Sequence, residues 1–493
     1  MGVIRRQGIT NTITTYIGIV IGFVSLIVIS PHFLTKEELG LTRILYSFSL
    51  LAAMFVPMGI GNATTKYFPL FKNEKTRHHG FFGFMLLFPM LGFLVGTGVI
   101  WLLKDFIMNQ YRRESPLFLE FFNYVFPLIF FLSFIAILGI YCSSHFKSTI
   151  PAFLNDVIVR LLTIALITIY YLRWLTLDQF IACYVGIYAI QLCGLLSYIF
   201  IFDKPGFRID WNYFREKKFL ELIRYGMLLW FAGVASIGLK YFDSIMIGKF
   251  MPLGFVGIYT IAAFIPTVIE APLTAIDKIA AARISFAWAD NKRDEIYSIY
   301  HKSSLYMLLV GGFLFLNINI NVESLLTFLP GDYSQGRWVV LIISIGTLFN
   351  MATGLNASIL FNSDKYRQGA VFLISLAIIV FALQMLLIPR LGLEGAALAT
   401  SASSLLYNTM LTLTVWKHFR LQPFDKKNIQ LAMLVLGCFF MNFLVPDSAN
   451  QYLNIAIHTS VISLIYCFAV YRLKIVPEFH KYLPWERKAG SRQ

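Results

Sequence analysis

Apolar runs of about 20 residues recur along nearly the whole chain and are separated by short polar loops. A helix of that length rises ~30 Å, enough to cross the hydrocarbon core of a bilayer with every backbone N–H and C=O bonded internally. No other feature restricts the possible folds as strongly. The chain is 58% hydrophobic and only 14% charged, against roughly a quarter charged in soluble domains. No loop is long enough to fold alone. The pattern predicts a polytopic, all-α membrane protein.

The first run, "TNTITTYIGIVIGFVSLIVIS", follows Arg5 and Arg6. It is too long for a cleaved signal core and lacks a small-residue cleavage site, so it is expected to be the first span. Breaks at charged and Pro/Gly-containing segments divide the 493 residues into about fourteen spans. Residues 1–203 hold the first six and 204–219 a basic linker. Residues 220–417 hold the next six, and 418–493 hold two more spans and a basic tail. Among the expected spans are 41–62, 151–172, 220–247, 254–276, 369–389 and 394–416.

The five cysteines (Cys142, Cys183, Cys193, Cys438, Cys467) lie in or beside apolar runs without CxxC or metal-ligand spacing. They read as small buried hydrophobes. The formal charge of +15 comes from 41 Lys and Arg against 26 Asp and Glu. With the N-terminus inside, 29 of those 41 fall in inner segments and eight in outer loops. That is the positive-inside asymmetry, and it predicts cytoplasmic termini. It also accounts for most of the basic charge without nucleic acid. The stretches "FKNEKTRHH" and "DWNYFREKKF" read as cytoplasmic anchors drawn to anionic lipid.

Sliding the chain against itself by 217 positions aligns Gly40 with Gly257, Lys75 with Lys292 and Arg173 with Arg390, and the span boundaries agree at the same offset. Six spans per repeat return the chain to its starting side. The copies would then share an orientation and be related by an axis along the membrane normal, as in transporters with parallel repeats.

Charges inside spans are costly and mark candidate sites. Arg160 lies twelve residues before Arg173, or ~18 Å of helix, well inside a ~30 Å core. Asp156 precedes it by one turn, a spacing suited to an i,i+4 ion pair. The pair reads as a structural bridge or as a masked anion-binding or coupling site. Lys240 and Asp243, in "GLKYFDSIMIG", share a face at i,i+3 and are expected either to line a cavity or to form an interfacial pair. Arg43 and Arg224 complete the intramembrane bases; Arg43 is close enough to the outer end of its span to snorkel. Glu270, bracketed by Pro266 and Pro272, reads as a lone carboxylate suited to proton coupling beside a broken helix. Asn350, Asn356 and Asn408 are candidates for sugar contacts, although such residues more often bond neighbouring helices.

Several segments also resemble a known family. "LLIPRLGLEGAALATSAS" (Leu386–Ser403), "HFLTKEELGLT", "GIGNATTKYFP", "DSIMIGKF" and "FVGIYTIA" are similar to segments of the multidrug/oligosaccharidyl-lipid/polysaccharide exporter superfamily. The nearest branch is the Wzx-like polysaccharide flippases, and Gln384 stands where that branch often has Asn. The resemblance implies a MATE-like fold of two six-helix lobes plus two C-terminal helices in a bacterial inner membrane. It also implies translocation of an undecaprenyl-pyrophosphate-linked oligosaccharide (an O-antigen, capsule or exopolysaccharide unit) to the periplasmic leaflet. A polysaccharide polymerase and a chain-length regulator would be the associated partners, and an ion gradient the energy source.

For such a cargo Arg160, Lys240, Arg43 and Arg224, chosen by their place inside spans, are the candidates for an anion-binding cavity, and Asp243, Glu270 and Asp156 for ion coupling. Of these, Asp243 coincides with an acidic position common in the seventh helix of the superfamily. A multidrug/cation antiporter of the same superfamily is the nearest rival and would favour a more acidic cavity. A membrane polymerase or ligase would carry a large outer catalytic loop. None is evident, nor is any HExxH, GxSxG or Walker motif, so neither enzymatic activity nor a cofactor is expected.

Overall fold

The computed structural model of the protein describes residues 10, 14, 16–216, 219–446, 448 and 450–475. These residues form helices joined by short turns, with no strand among them. Several helices start where the sequence offers a capping box. Thr35 accepts from Glu38 N at 3.2 Å while Glu38 Oε2 accepts from Thr35 N at 2.8 Å, opening helix Lys36–Ala53. Thr176 and Gln179 open Leu177–Phe202 in the same way, as do Asp425 and Asn428 for Lys426–Met441. Each box satisfies backbone donors that the first helical turn leaves unbonded.

Among the described residues, ten helices are long and apolar enough to cross a membrane, or eleven if Leu253–Phe264 and Thr267–Asp277 count as one bent span. The expected number was about fourteen, and the backbone explains the difference. Spans 369–389 and 394–416 are the two arms of Tyr366–Phe419, which kinks at Gly392 (φ 59°, ψ −133°), and the count takes the two arms together. Span 41–62 is divided between Lys36–Ala53 and Ile60–Phe71, with Met58 and Gly59 between them at positive φ. Span 220–247 lies within Phe219–Phe250, several of whose side chains are outside the described residues. The break expected at Glu270 is present: helix Thr267–Ala289 starts after Pro266 and passes through Pro272.

The chain divides into two compact units. One comprises Met1–Ile261 with Leu329–Gly331 and Gln384–Gly392. Its core includes a cluster of large aromatics, among them Phe68, Phe71, Phe81, Phe82 and Tyr141, each fully buried. The other unit takes the remaining residues, and its core gathers Tyr300, Leu316, Met351, Leu411 and Tyr466.

Within the first unit, the 217-residue offset reappears as a pair of contacts. A Cβ on Gly40 would lie 2.2 Å from the Leu253 carbonyl oxygen, and one on Gly257 would lie 2.4 Å from the Lys36 carbonyl oxygen. Gly40 and Gly257 differ by 217 positions, and so do Lys36 and Leu253. The two contacts are therefore exchanged by the offset found in the sequence, and each needs a residue without a side chain.

Candidate functional site

Arg43 lies two turns into helix Lys36–Ala53, behind the Thr35 cap. Its guanidinium carbon is 5.2 Å from the ring centre of Tyr241, within cation–π range. Its Nε is buried and has no hydrogen-bond partner, and no described carboxylate pairs with it. Tyr46, three residues on and so on the same face, meets Tyr241 edge-on at 5.8 Å and Tyr188 at 5.8 Å. Tyr184 and Tyr188, at i and i+4, bring their hydroxyls within 3.3 Å of each other. A cation with no counterion among the described residues thus heads a group of four tyrosines, which offers hydroxyl donors and acceptors together with ring faces.

Arg160 is used differently. Its Nη1 donates to the Gly18 carbonyl oxygen, and Gly22 leaves the space its guanidinium occupies. Asp156 packs against Gly18 and accepts from Asn155 Nδ2 at 2.9 Å. The expected Asp156–Arg160 ion pair is absent among the described residues. The guanidinium is instead taken by the Gly18 carbonyl, in the space that Gly22 leaves. The sequence signal for this contact is "GIVIG", a GxxxG motif at Gly18 and Gly22 that permits close helix approach.

Lys240 and Asp243 are likewise not joined. Lys240 is exposed and Asp243 is 7% exposed. Tyr259 OH donates to Asp243 Oδ2 at 2.5 Å, and Gln384 Nε2 donates to Oδ1. Two of its donors are thus neutral, one from "FVGIYTIA" and one from the Gln384 position. The side chain of Arg224 lies outside the described residues.

In the second unit the acids also have neutral partners. Asn350 Nδ2 donates to Glu270 Oε1 at 2.9 Å. Two helical turns further on, Ser358 Oγ donates to Asp277 Oδ1. Asp277, at the end of the bent apolar segment, is a second carboxylate of this helix that sequence reasoning missed; its i,i+7 spacing from Glu270 was the available signal. Asn356, 1% exposed, gives its amide hydrogens to Asn408 (3.1 Å to Oδ1) and Thr412 (3.3 Å). Asn408 in turn donates to the Ser404 carbonyl at 3.0 Å. Asn356 and Asn408 therefore join helices and have no donor left over for a sugar.

The basic linker is held to the first unit by histidines. His78 Nε2 is 3.4 Å from Asp203 Oδ1, His145 Nε2 is 3.7 Å from Oδ2, and Tyr141 OH donates to Oδ2 at 2.5 Å. Three such ligand atoms within 4.8 Å have the composition of a metal site. However, Asn73 N–H donates to His78 Nδ1 at 3.0 Å, so neutral His78 carries its proton on Nε2 and has no lone pair there for a metal. The group works as a hydrogen-bonded anchor. Burial pushes the His145 pKa below its ordinary value. His79 bonds Asp210 at 3.2 Å and holds that carboxyl below its ordinary range.

A family model described as "Polysaccharide biosynthesis protein" matches residues 4–282. Among the curated proteins, none is significantly similar. Solved structures share the fold. "Lipid II flippase MurJ, inward closed conformation" superposes with a TM-score of 0.74 at 15% identity, covering 95% of this chain and 100% of that one. An inward-facing multidrug resistance MATE family transporter of the MOP superfamily gives 0.58 at 14% identity, covering 86% and 95%. A MATE transporter in complex with MaL6 gives 0.53 at 12%, covering 86% and 96%. The fold is thus MurJ- and MATE-like, and these neighbours are transporters and flippases rather than enzymes.

Proposed function

Because the chain belongs to the polysaccharide biosynthesis protein family, we propose that it is a flippase for a lipid-linked oligosaccharide. The cargo is an undecaprenyl-pyrophosphate-linked repeat unit, moved from the cytoplasmic to the periplasmic leaflet of a bacterial inner membrane. Lobes 1–203 and 220–417 alternate access, residues 418–493 add two helices and a tail, and both termini face the cytoplasm.

The observation that carries this reading is Arg43, whose buried Nε lacks any partner beside Tyr241. A guanidinium inside a membrane without a counterion favours an anionic visitor, and its planar fork suits phosphate oxygens. The four tyrosines supply ring faces and hydroxyls for sugar. Lys240, exposed on its helix, and Arg224 add positive charge along the path, while Arg160 supports it through helix packing. Asp243, Glu270 and Asp156 are the acids assigned to ion coupling. Asn350 then serves Glu270 rather than the sugar. A polymerase and a chain-length regulator would take up the product outside.

The test is flipping of a fluorescent pyrophosphate-linked oligosaccharide in proteoliposomes. Arg43→Ala should abolish transport at unchanged protein abundance, and Arg43→Lys should restore part of it. Full transport by Arg43→Ala would remove the site from the mechanism. One observation favours the multidrug/cation antiporter: Asp243, Glu270 and Asp277 are acids held by neutral donors, and a cationic drug could displace those donors. Drug-driven proton efflux, with no movement of the oligosaccharide, would decide for that reading.

A further inference from the structure

A groove of about 480 Å³ lies in the first unit, away from Arg43. Leu86, Leu87 and Met90 of helix Phe81–Leu102 form one side and Phe130 and Phe134 of Val125–Ser144 another. Leu192 and Leu196 of helix Leu177–Phe202 form a third side. The remaining wall is the linker, which contributes Phe207 and Ile209. The linker backbone lies on helix Phe81–Leu102 because Gly83 has no side chain: a Cβ there would sit 2.1 Å from the Phe207 carbonyl oxygen. Gly83 N also donates to the Gly206 carbonyl at 3.3 Å, and Asp210 N to the His79 carbonyl at 3.1 Å. With Asp203 and Asp210 held by histidines on either side, the wall is fixed in place.

The groove wall is apolar and its mouth is basic. Leu87, Met90 and Phe207 are 46%, 41% and 58% exposed. Lys72, Arg77, Lys204 and Arg208 are exposed at the end where the helix starts. Arg77 Cβ lies beside Gly206, and the Arg208 carbonyl lies beside Gly80, so both arginines flank the linker wall. Of the nearby acids, Asp203 and Asp210 are engaged by histidines, and Glu74 is exposed. From Gly83 to Met90 the groove climbs ~10 Å of helix, about the depth from a headgroup into the acyl region.

We propose that this groove is a binding site for one anionic phospholipid of the cytoplasmic leaflet, with an acyl chain against Leu87, Met90 and Phe207 and the headgroup phosphate at Arg77 and Arg208. Basic pockets at this level of a membrane protein select anionic headgroups, at ~1 kcal/mol or about fivefold per Lys or Arg. The volume falls within the ~300–1,000 Å³ of a small-molecule pocket, suits a single acyl chain and is too small for a polyprenyl chain. The bound lipid would hold the linker to the bilayer.

The probe is brominated phosphatidylglycerol or brominated phosphatidylcholine in mixed vesicles holding the full-length protein. Both quench the tryptophan introduced by Leu87→Trp, read as the difference from the parent chain. Phosphatidylglycerol should be preferred at least fivefold. Arg77→Gln with Arg208→Gln should bring the preference close to one, while Arg77→Lys with Arg208→Lys should keep it. Equal quenching by both lipids in the Leu87→Trp protein would overturn the proposal. So would displacement of brominated phosphatidylglycerol by polyprenyl phosphate more readily than by unlabelled phosphatidylglycerol, which would make the groove a substrate-tail site. Neither result depends on whether the protein flips an oligosaccharide.

Discussion

Arg43 in the first unit and Glu270 with Asp277 in the second place charge inside the membrane under opposite arrangements. The arginine has aromatic rings around it and no hydrogen-bond partner for its buried Nε. Each carboxylate has a neutral donor, Asn350 or Ser358. An amide or hydroxyl donating to a carboxylate satisfies an oxygen lone pair and favours the charged form. An arginine cannot lose its proton at any accessible pH, and in the proposed function the anionic cargo is its partner. The acids are the candidates for ion coupling in the same proposal.

The largest test of that contrast is Arg43→Glu. Reversing the charge should lower oligosaccharide flipping by ~100-fold or more, since losing one partner of a desolvated charged contact costs ~2–5 kcal/mol. The assay is transport in proteoliposomes, and a loss below threefold would erase the distinction. Glu270→Gln with Asp277→Asn should cost about tenfold, ~1.4 kcal/mol in the barrier, and only when a pH gradient drives transport. Equal losses with and without the gradient would show that the acids serve structure.

Asn350→Ala and Asn356→Ala sharpen the difference between an amide that serves a charge and one that joins helices. Each takes one donor from an acceptor that is at least partly buried, a loss of up to ~1–3 kcal/mol, read as a lowered melting temperature in detergent. Asn350→Ala should in addition change the pH dependence of transport, and Asn356→Ala should not. The smallest effect concerns a base rather than an acid. Burial lowers the His145 pKa, so the folded protein binds fewer protons there than the unfolded chain. The stability it contributes is complete above the ordinary histidine pKa, ~6.5, and is lost as pH falls from there toward the depressed folded value. Protection of residues 203–210 from hydrogen exchange, taken relative to the intrinsic exchange rate at each pH, should therefore fall on acidification, and His145→Gln should flatten the response.

Much of this fold was legible in order along the chain. Apolar length gave the spanning helices, Pro266 the break before Glu270, and glycine spacing the 217-residue repeat that returns at Gly40 and Gly257. The site was less legible, for reasons of distance. Tyr46, Tyr184, Tyr188 and Tyr241 are spread over nearly 200 positions, and any one of them reads as an interfacial aromatic. Asp156 and Arg160 have helical spacing, but Arg160 is claimed by the Gly18 carbonyl, 142 positions away. Lys240 and Asp243 share a face by count, yet Asp243 is claimed by Tyr259 and Gln384, 16 and 141 positions away.

The crossing at Gly40 and Gly257 has a mechanical corollary. Main chain rests on main chain there, with carbonyl oxygens seated where side chains would interlock. An interlocked helix pair must pass its knobs over ridges to swivel, and that requires rotamer changes. A smooth bearing has no such detents, so tilting about it is resisted only by whatever packs further along the two helices.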